Sequence, residues 1–181
     1  MAGQCSGEPA NPMASQALSA KVVCAGSRRW RAAAAKLRPG PATGLKELHL
    51  MENTAQWTTA LWLDFDPLDN MNRELMARLA QAQAASDAEL PQAWADLVAH
   101  VAMHFGQEDT WMRETGHGRA DAHALEHRVV LNLLREGVGQ IRQGELEPVR
   151  QMARELGSWF ARHTHAFDAG LALHLRRHSL S

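Results

Sequence analysis

The sequence predicts an all-α protein whose four helices form an up-down-up-down bundle. Apolar residues recur at helical spacing in four stretches after residue 66, and short connections separate these stretches. Nothing between residues 51 and 181 has the alternating pattern of a strand. Helices joined by short loops usually pack as antiparallel neighbours, which favours this bundle topology.

The first two helices are predicted over residues 67–85 and 89–115. The stripe on the first helix consists of Leu68, Asn72, Leu75 and Leu79. Residues 86–89 resemble a turn that leads into a helix N-cap. The second helix has a continuous apolar side, and Gly116 marks its end because glycine readily adopts the left-handed conformation after a helix.

The third helix is predicted over residues 120–143, with Gly144 after it. Its inward stripe consists of His123, His127, Val130, Leu134, Val138 and Ile141. The fourth begins near Glu147 and Pro148, since proline suits the first helical turn. Its stripe consists of Val149, Met152, Leu156, Trp159, His163 and Phe167.

Residues 1–50 differ in composition from the rest of the chain. They hold seven Lys and Arg against two Glu, both cysteines, four prolines and no sustained apolar periodicity, which favours disorder. Such a basic leader is compatible with an organelle transit peptide, but we prefer an upstream extension of a shorter protein that starts at Met51. We therefore divide the chain into an extension, residues 1–50, and a bundle, residues 51–181.

Composition argues against several classes of partner. The net charge of −1 and the pI near 6.8 give no electrostatic reason to expect nucleic acid or an anionic membrane. No apolar stretch is long enough for an export signal or a membrane span. Because the bundle has no cysteine, disulfides do not hold it together. We expect a cytoplasmic protein.

Histidines and carboxylates recur on the faces that should be core. His104 and Glu108 are four residues apart and therefore share one helix face. Burying an unpaired carboxylate is costly unless a cation compensates it. His123 and His127 have the same spacing, which allows two imidazoles to hold one metal ion.

The fourth helix adds His163, with Asp168 five residues further on. Five residues correspond to a rotation of about 140° in a regular α-helix, so Asp168 needs a favourable rotamer or a π-turn to reach the same centre. A single buried histidine is usually a hydrogen-bonded core residue, but three helices with such groups favour a metal site. Imidazole and carboxylate ligands without thiolate suit iron, manganese or zinc.

These residues resemble the hemerythrin family. The segment His104-Phe105-Gly106-Gln107-Glu108-Asp109 is similar to that family's His-Phe-x-x-Glu-Glu motif. The His123 and His127 pair is similar to its next motif, and residues 159–168 resemble its closing Trp, His and Asp. Order and spacing agree over residues 57–175.

The resemblance implies a non-heme di-iron site that binds O2 without catalytic turnover. One iron would be held by His123, His127 and His163. Glu108 and Asp168 would bridge this iron to a second one, which His104 would also ligate. O2 would bind at the second iron, where a coordination position is open in the family.

Asn72 departs from the family pattern. The family has a histidine ligand at this position of the first helix, and an asparagine carbonyl is a weaker donor than imidazole. Three outcomes stay open: a di-iron site completed by Asn72 or water, a single-metal site, and a site completed by another histidine. His100, one turn before His104, is the candidate for that completion, although we prefer a second-shell hydrogen bond for it.

Three functional hypotheses follow from these observations. The leading one is a non-enzymatic iron protein that binds, stores or senses O2. The second is a redox enzyme that removes peroxide or nitric oxide at an incomplete iron shell, although no general acid or base is recognisable. The third is a bundle that has lost its metal and serves as an interaction module. The remaining bundle histidines are expected at the surface: His117, His165, His174 and His178.

Overall fold

The computed structural model describes residues 61–179, which form five α-helices and one π-helical turn. These are α1 (Asp66–Ala84), α2 (Leu90–Thr115), α3 (Ala120–Arg142), α4 (Leu146–His163), the π-turn (Thr164–Asp168) and α5 (Ala169–Ser179). The four predicted helices are confirmed: each begins within one residue of the expected position, and the first three also end within one residue of it. The predicted disorder of residues 1–50 and the boundary at residue 51 lie outside the described residues.

The four long helices form the predicted bundle. Helix α1 packs against α2 and α4, and α3 packs against the same two neighbours. Each helix therefore lies beside the one that follows it in the chain. The largest fully buried side chains fill the space between them: Leu75, Leu79, Trp94, Leu97, Leu134, Leu156 and Phe160. No helix within residues 61–179 combines the length and apolarity that crossing a membrane requires.

Local contacts define where the helices begin and end. The buried carboxylate of Asp69 accepts hydrogen bonds from the backbone N–H groups of Leu63 and Phe65, at 2.9 and 3.0 Å, and so anchors the chain that enters α1. Helix α2 ends at Gly116, whose φ of 66° lies in the left-handed region that favours glycine. These caps fix the helix ends that flank the histidine-rich part of the core.

Gly137 of α3 allows α2 to approach closely. A Cβ atom at this position would lie 2.8 Å from Trp94 Nε1 and 2.9 Å from the terminal methyl of Met152. Trp94 has little room to move, since it is fully buried and its Nε1–H donates to the Leu134 carbonyl at 3.1 Å. The absence of a side chain at residue 137 is therefore a packing requirement.

We predict that Gly137→Ala is less stable than Gly139→Ala. Both substitutions raise helix propensity equally, but a Cβ at Gly139 meets nothing within 4 Å, whereas one at Gly137 overpacks the core. The two free energies of unfolding should differ by about 1–3 kcal/mol, the usual cost of overpacking, as measured by denaturant titration. Equal stability of the two variants would contradict the packing requirement.

Candidate metal centre

Three imidazoles meet in the core near the end of α4. His123 and His127 come from α3, and His163 is the last residue of α4. The Nε2 atom of His163 lies 2.9 Å from that of His123 and 3.2 Å from that of His127, and all three residues are buried. Two ring nitrogens can share one proton, but three converging nitrogens cannot all be satisfied in this way. A cation at their centre would satisfy them together.

Two buried carboxylates complete this set of donor atoms. Glu108 Oε2 lies 3.2 Å from His123 Nε2 and 3.5 Å from His127 Nε2. Asp168 Oδ1 lies 3.1 Å from His123 Nε2 and 3.2 Å from His163 Nε2. In an octahedral shell with bonds of about 2.1 Å, neighbouring donor atoms are about 3.0 Å apart. Donor atoms of Glu108, His123, His127 and His163 lie within 4.8 Å of one another and are spaced as ligands of one cation, and Asp168 Oδ1 contacts two of these imidazoles.

The π-turn brings Asp168 to this centre. Hydrogen bonding from residue i to i+5 widens the helix over Thr164–Asp168, so residues five apart can share a face. Asp168 is completely buried there, in contact with His123 and His163. Of the two routes considered from the sequence, a rotamer or a π-turn, the structure contains the π-turn.

A fourth imidazole, that of His104, lies on the other side of Glu108. Its Oε1 atom is 2.7 Å from His104 Nε2, although neither atom has a hydrogen-bond partner of acceptable geometry within residues 61–179. Glu108 therefore has one oxygen beside the three imidazoles and the other beside His104. Asp168 Oδ2 is likewise buried and unpaired in the described part of the chain.

Asn72 is buried on the inner face of α1, as its place on the stripe predicts. Its side chain has no exposed surface, and neither its oxygen nor its nitrogen has a hydrogen-bond partner among the described residues. An unsatisfied buried amide is costly. Asn72 therefore has an oxygen available for a water molecule or a metal ion. Its nitrogen is a hydrogen-bond donor, which a metal ion would leave without a partner.

Two outer carboxylates orient the imidazoles. His127 Nδ1 lies 2.9 Å from Asp109 Oδ1, and His163 Nδ1 lies 3.2 Å from Glu126 Oε2. A proton on each Nδ1, donated to the carboxylate, leaves the Nε2 lone pair facing the centre, which is the usual arrangement of metal-binding histidines. Neither role is assigned in the sequence interpretation, although Asp109 lies within the quoted motif and Glu126 directly precedes His127.

Aromatic side chains cover the same imidazoles. Phe105 stacks on His127 with ring centroids 4.0 Å apart, and Trp159 stacks on His163 at 4.6 Å. Both are buried. They restrict the rotation of the imidazole rings and exclude water from this side of the centre.

Burial and charge set the protonation of the metal-free centre. Burial disfavours the imidazolium of His163. The neighbouring carboxylates of Asp168 and Glu126 favour it more strongly, so the pKa of His163 is raised to about 10. For Glu108, burial and Asp168 favour the neutral acid, yet contacts with His104 and His123 lower its pKa to about 2. A cation that binds here must therefore displace a proton from His163.

His100 is buried beside His104. Its Nε2 atom lies 3.1 Å from the Met71 carbonyl oxygen, and burial lowers its pKa. Its ring centroid is 5.8 Å from that of His104. The contact with α1 is compatible with a supporting hydrogen bond from outside the ligand set, a role that stays a prediction for His100.

The expectation of four surface histidines is wrong for two of them. His165 and His178 are exposed, but His117 and His174 are half-buried and their rings are in contact. The tertiary contact between the end of α2 and α5 covers them, and helical periodicity along one element does not reveal such a contact.

The fold and donor set define a four-helix-bundle protein with a histidine–carboxylate metal centre, the architecture in which non-heme di-iron sites are built. Residues 64–172 match the family model described as the Hemerythrin HHE cation binding domain, and the chain belongs to this family. It is similar to Bacteriohemerythrin of Ralstonia nicotianae, with 33% identity over 114 residues, which are 62% of this chain and 82% of the relative. No solved structure matches the chain. Family membership and the buried cluster together support the binding of non-heme iron.

We predict that Asp109→Asn and Glu126→Gln weaken metal binding by about 10- to 100-fold each, the usual effect of removing such an outer partner. An amide no longer favours the Nδ1–H tautomer of His127 or His163. The measurement is a competition titration with a chromophoric chelator. Asp121→Asn and Glu136→Gln are matched controls, because both carboxylates are exposed on α3. Affinities equal to those of the controls would show that the outer carboxylates do not support the ligands.

Proposed function

We propose that this protein binds two non-heme irons and uses them to bind O2 without consuming it. The observation that carries this proposal is the carboxylate of Glu108, which has one oxygen near three imidazoles and the other near His104. A carboxylate placed between three imidazoles on one side and a fourth on the other suits two metal ions rather than one. The role would be storage or sensing of O2.

The residues divide into three roles under this proposal. His123, His127 and His163 hold the first iron, His104 holds the second, and Glu108 and Asp168 bridge them. Asn72, or a water molecule beside it, would complete the coordination of the second iron. When bound, the irons supply the electrons and the coordination position that O2 requires.

The polar groups around the centre support binding rather than turnover. Reduction of peroxide or nitric oxide needs protons, and a positioned side chain outside the ligand set commonly delivers them. Among the described residues, the buried titratable groups outside that set are Asp69 and His100. Asp69 caps the entry to α1, and His100 contacts the Met71 carbonyl. Asp109 and Glu126, which are less buried, accept from the Nδ1 atoms of His127 and His163. None of these four groups is therefore a free acid beside the centre.

A second candidate function rests on Asn72. Because an amide oxygen is a weaker donor than imidazole, the second metal would keep more of its coordination positions open than in a complete histidine shell. Redox removal of peroxide or nitric oxide is therefore the alternative. It differs from O2 binding in one observable respect, since it consumes its ligand.

We predict that Asn72→His increases both iron retention and the response to O2. The imidazole restores a strong donor at the second position, so the variant should hold two irons per chain more firmly than the wild type. The measurement is iron content of anaerobically purified protein, followed by the optical spectrum before and after air. A charge-transfer band that depends on O2 should be more intense in the variant.

Asn70→His is the matched control, because Asn70 is exposed on the same helix and its oxygen accepts from Arg73. It should leave iron content and spectrum unchanged. Two irons per chain without any O2-dependent band, in the wild type and in Asn72→His, would argue against O2 binding. Catalytic loss of added peroxide or nitric oxide would then favour the alternative.

A further inference from the structure

The aromatic cover of the three core imidazoles reaches solvent on one side. Within residues 61–179, three phenyl or indole rings contact these imidazoles, those of Phe105, Trp159 and Phe167. Phe105 and Trp159 are buried, whereas Phe167 is only half-buried. Solvent therefore comes closest to the aromatic cover at Phe167. This residue has no role in the function proposed above.

Phe167 lies against two of the three imidazoles. Its ring centroid is 5.0 Å from that of His123 and 5.4 Å from that of His163, with interplanar angles of 31° and 27°. Phe167 belongs to the π-turn and directly precedes Asp168, whose carboxylate contacts the same two imidazoles. Displacement of the Phe167 ring would therefore uncover two of the residues that hold the first metal ion.

Arg119 holds Phe167 from the solvent side. The guanidinium carbon of Arg119 lies 4.8 Å from the centroid of the Phe167 ring, within the range of a cation–π contact. The same guanidinium donates through Nη1 to the Ala166 carbonyl at 3.2 Å. Arg119 is exposed, and the imidazoles of His123 and His163 are buried. Exposure therefore decreases from Arg119 through Phe167 to the metal ligands.

The start of α3 fixes the position of Arg119. The backbone N–H of His123 donates to the Arg119 carbonyl at 3.1 Å, which places Arg119 one turn before this ligand. The Arg119 side chain makes no cap hydrogen bond to the helix, so it is available for the π-turn. An exposed cation–π contact and one hydrogen bond are weak individually. They can break locally while the bundle stays folded.

We propose that Arg119 and Phe167 form a gate that controls how fast a metal ion enters and leaves the three-imidazole side of the centre. Release of Arg119 lets the Phe167 ring move and opens a path from solvent to His123 and His163. Arg119 contacts Phe167 and Ala166, neither of which is a ligand, so the gate sets the rates of exchange and leaves the affinity unchanged. The gate rests on the metal centre proposed above, but not on O2 binding there.

The test compares both rate constants of metal exchange in full-length wild type and Arg119→Met. Anaerobic Co²⁺ is the probe, because its visible absorption reports binding directly. Association is followed after mixing metal-free protein with Co²⁺, and dissociation after adding excess chelator to protein loaded with one equivalent. Methionine keeps an unbranched apolar chain but removes the charge and the donor. Both rate constants should rise by the same factor, at least about fivefold, which corresponds to the loss of the two weak contacts.

Two further variants of Arg residues serve as comparisons. Arg119→Lys keeps a cation over the ring, so its rate constants should rise less than those of Arg119→Met. Arg135→Met is the matched control, because Arg135 is exposed on the same helix and lies four turns beyond Arg119. It should exchange Co²⁺ as the wild type does. Faster association alone, with dissociation unchanged, would show that Arg119 only repels the cation and would overturn the gate.

Phe167→Leu gives an independent test from the other side of the contact. It removes the ring on which Arg119 lies, so both rate constants should again rise. Adding Arg119→Met to Phe167→Leu should accelerate exchange less than it does in the wild type, because the two residues act together. Independent effects of the two substitutions would contradict the gate.

Failure of the gate can be told apart from failure of the metal centre. Wild-type protein that binds Co²⁺, together with wild-type rate constants in Arg119→Met, overturns the gate alone. A weaker affinity of Arg119→Met at an unchanged association rate also overturns it, since Arg119 would then support the ligands. Wild-type protein that binds no Co²⁺ overturns the centre and the gate together.

Discussion

Two carboxylates buried inside an apolar bundle are the constraint on which the rest of this structure depends. Glu108 and Asp168 have no exposed surface, and the transfer of a carboxylate from water to such a place is costly unless positive charge compensates it. In the metal-free protein, imidazolium groups can supply part of that charge, and a metal ion can supply more. The converging histidines, the π-turn that brings in Asp168, and the aromatic rings stacked on the imidazoles all serve this compensation.

The imidazoles on the two sides of Glu108 differ in how well neighbouring groups hold them in place. Beside the three imidazoles, His127 and His163 each have an outer carboxylate that holds the ring. On the other side, His104 Nδ1 has no hydrogen-bond partner in the described chain, and neither has the amide of Asn72, which the motif resemblance aligns with a histidine of the family. The first half is therefore organised before a metal ion arrives, whereas the second half has a weaker and less constrained set of donors. Because preorganisation lowers the cost of binding, this inequality predicts two metal positions of different affinity.

Features that follow from helical periodicity could be predicted from the sequence. Features that depend on contacts between helices could not. The four helices, the inward stripes and the His104–Glu108 and His123–His127 pairs follow from spacing alone. The π-turn appears only as one of two options, because the change in hydrogen bonding depends on what packs against the helix. The roles of Asp109 and Glu126 depend on how neighbouring helices are rotated. The burial of His174 depends on Thr115, 59 residues earlier in the chain, and no local pattern records that contact.

The most direct test of the central claim is the iron content of full-length protein produced with ample iron and passed through a desalting column. The wild type should retain at least one iron per chain, and His165→Ala, which changes an exposed histidine two residues after His163, should retain the same amount. His163→Ala should lose most of it, since it removes the imidazole that contacts both other rings and Asp168. Wild-type protein without bound iron, or equal iron in His163→Ala, would contradict the account of a buried iron centre.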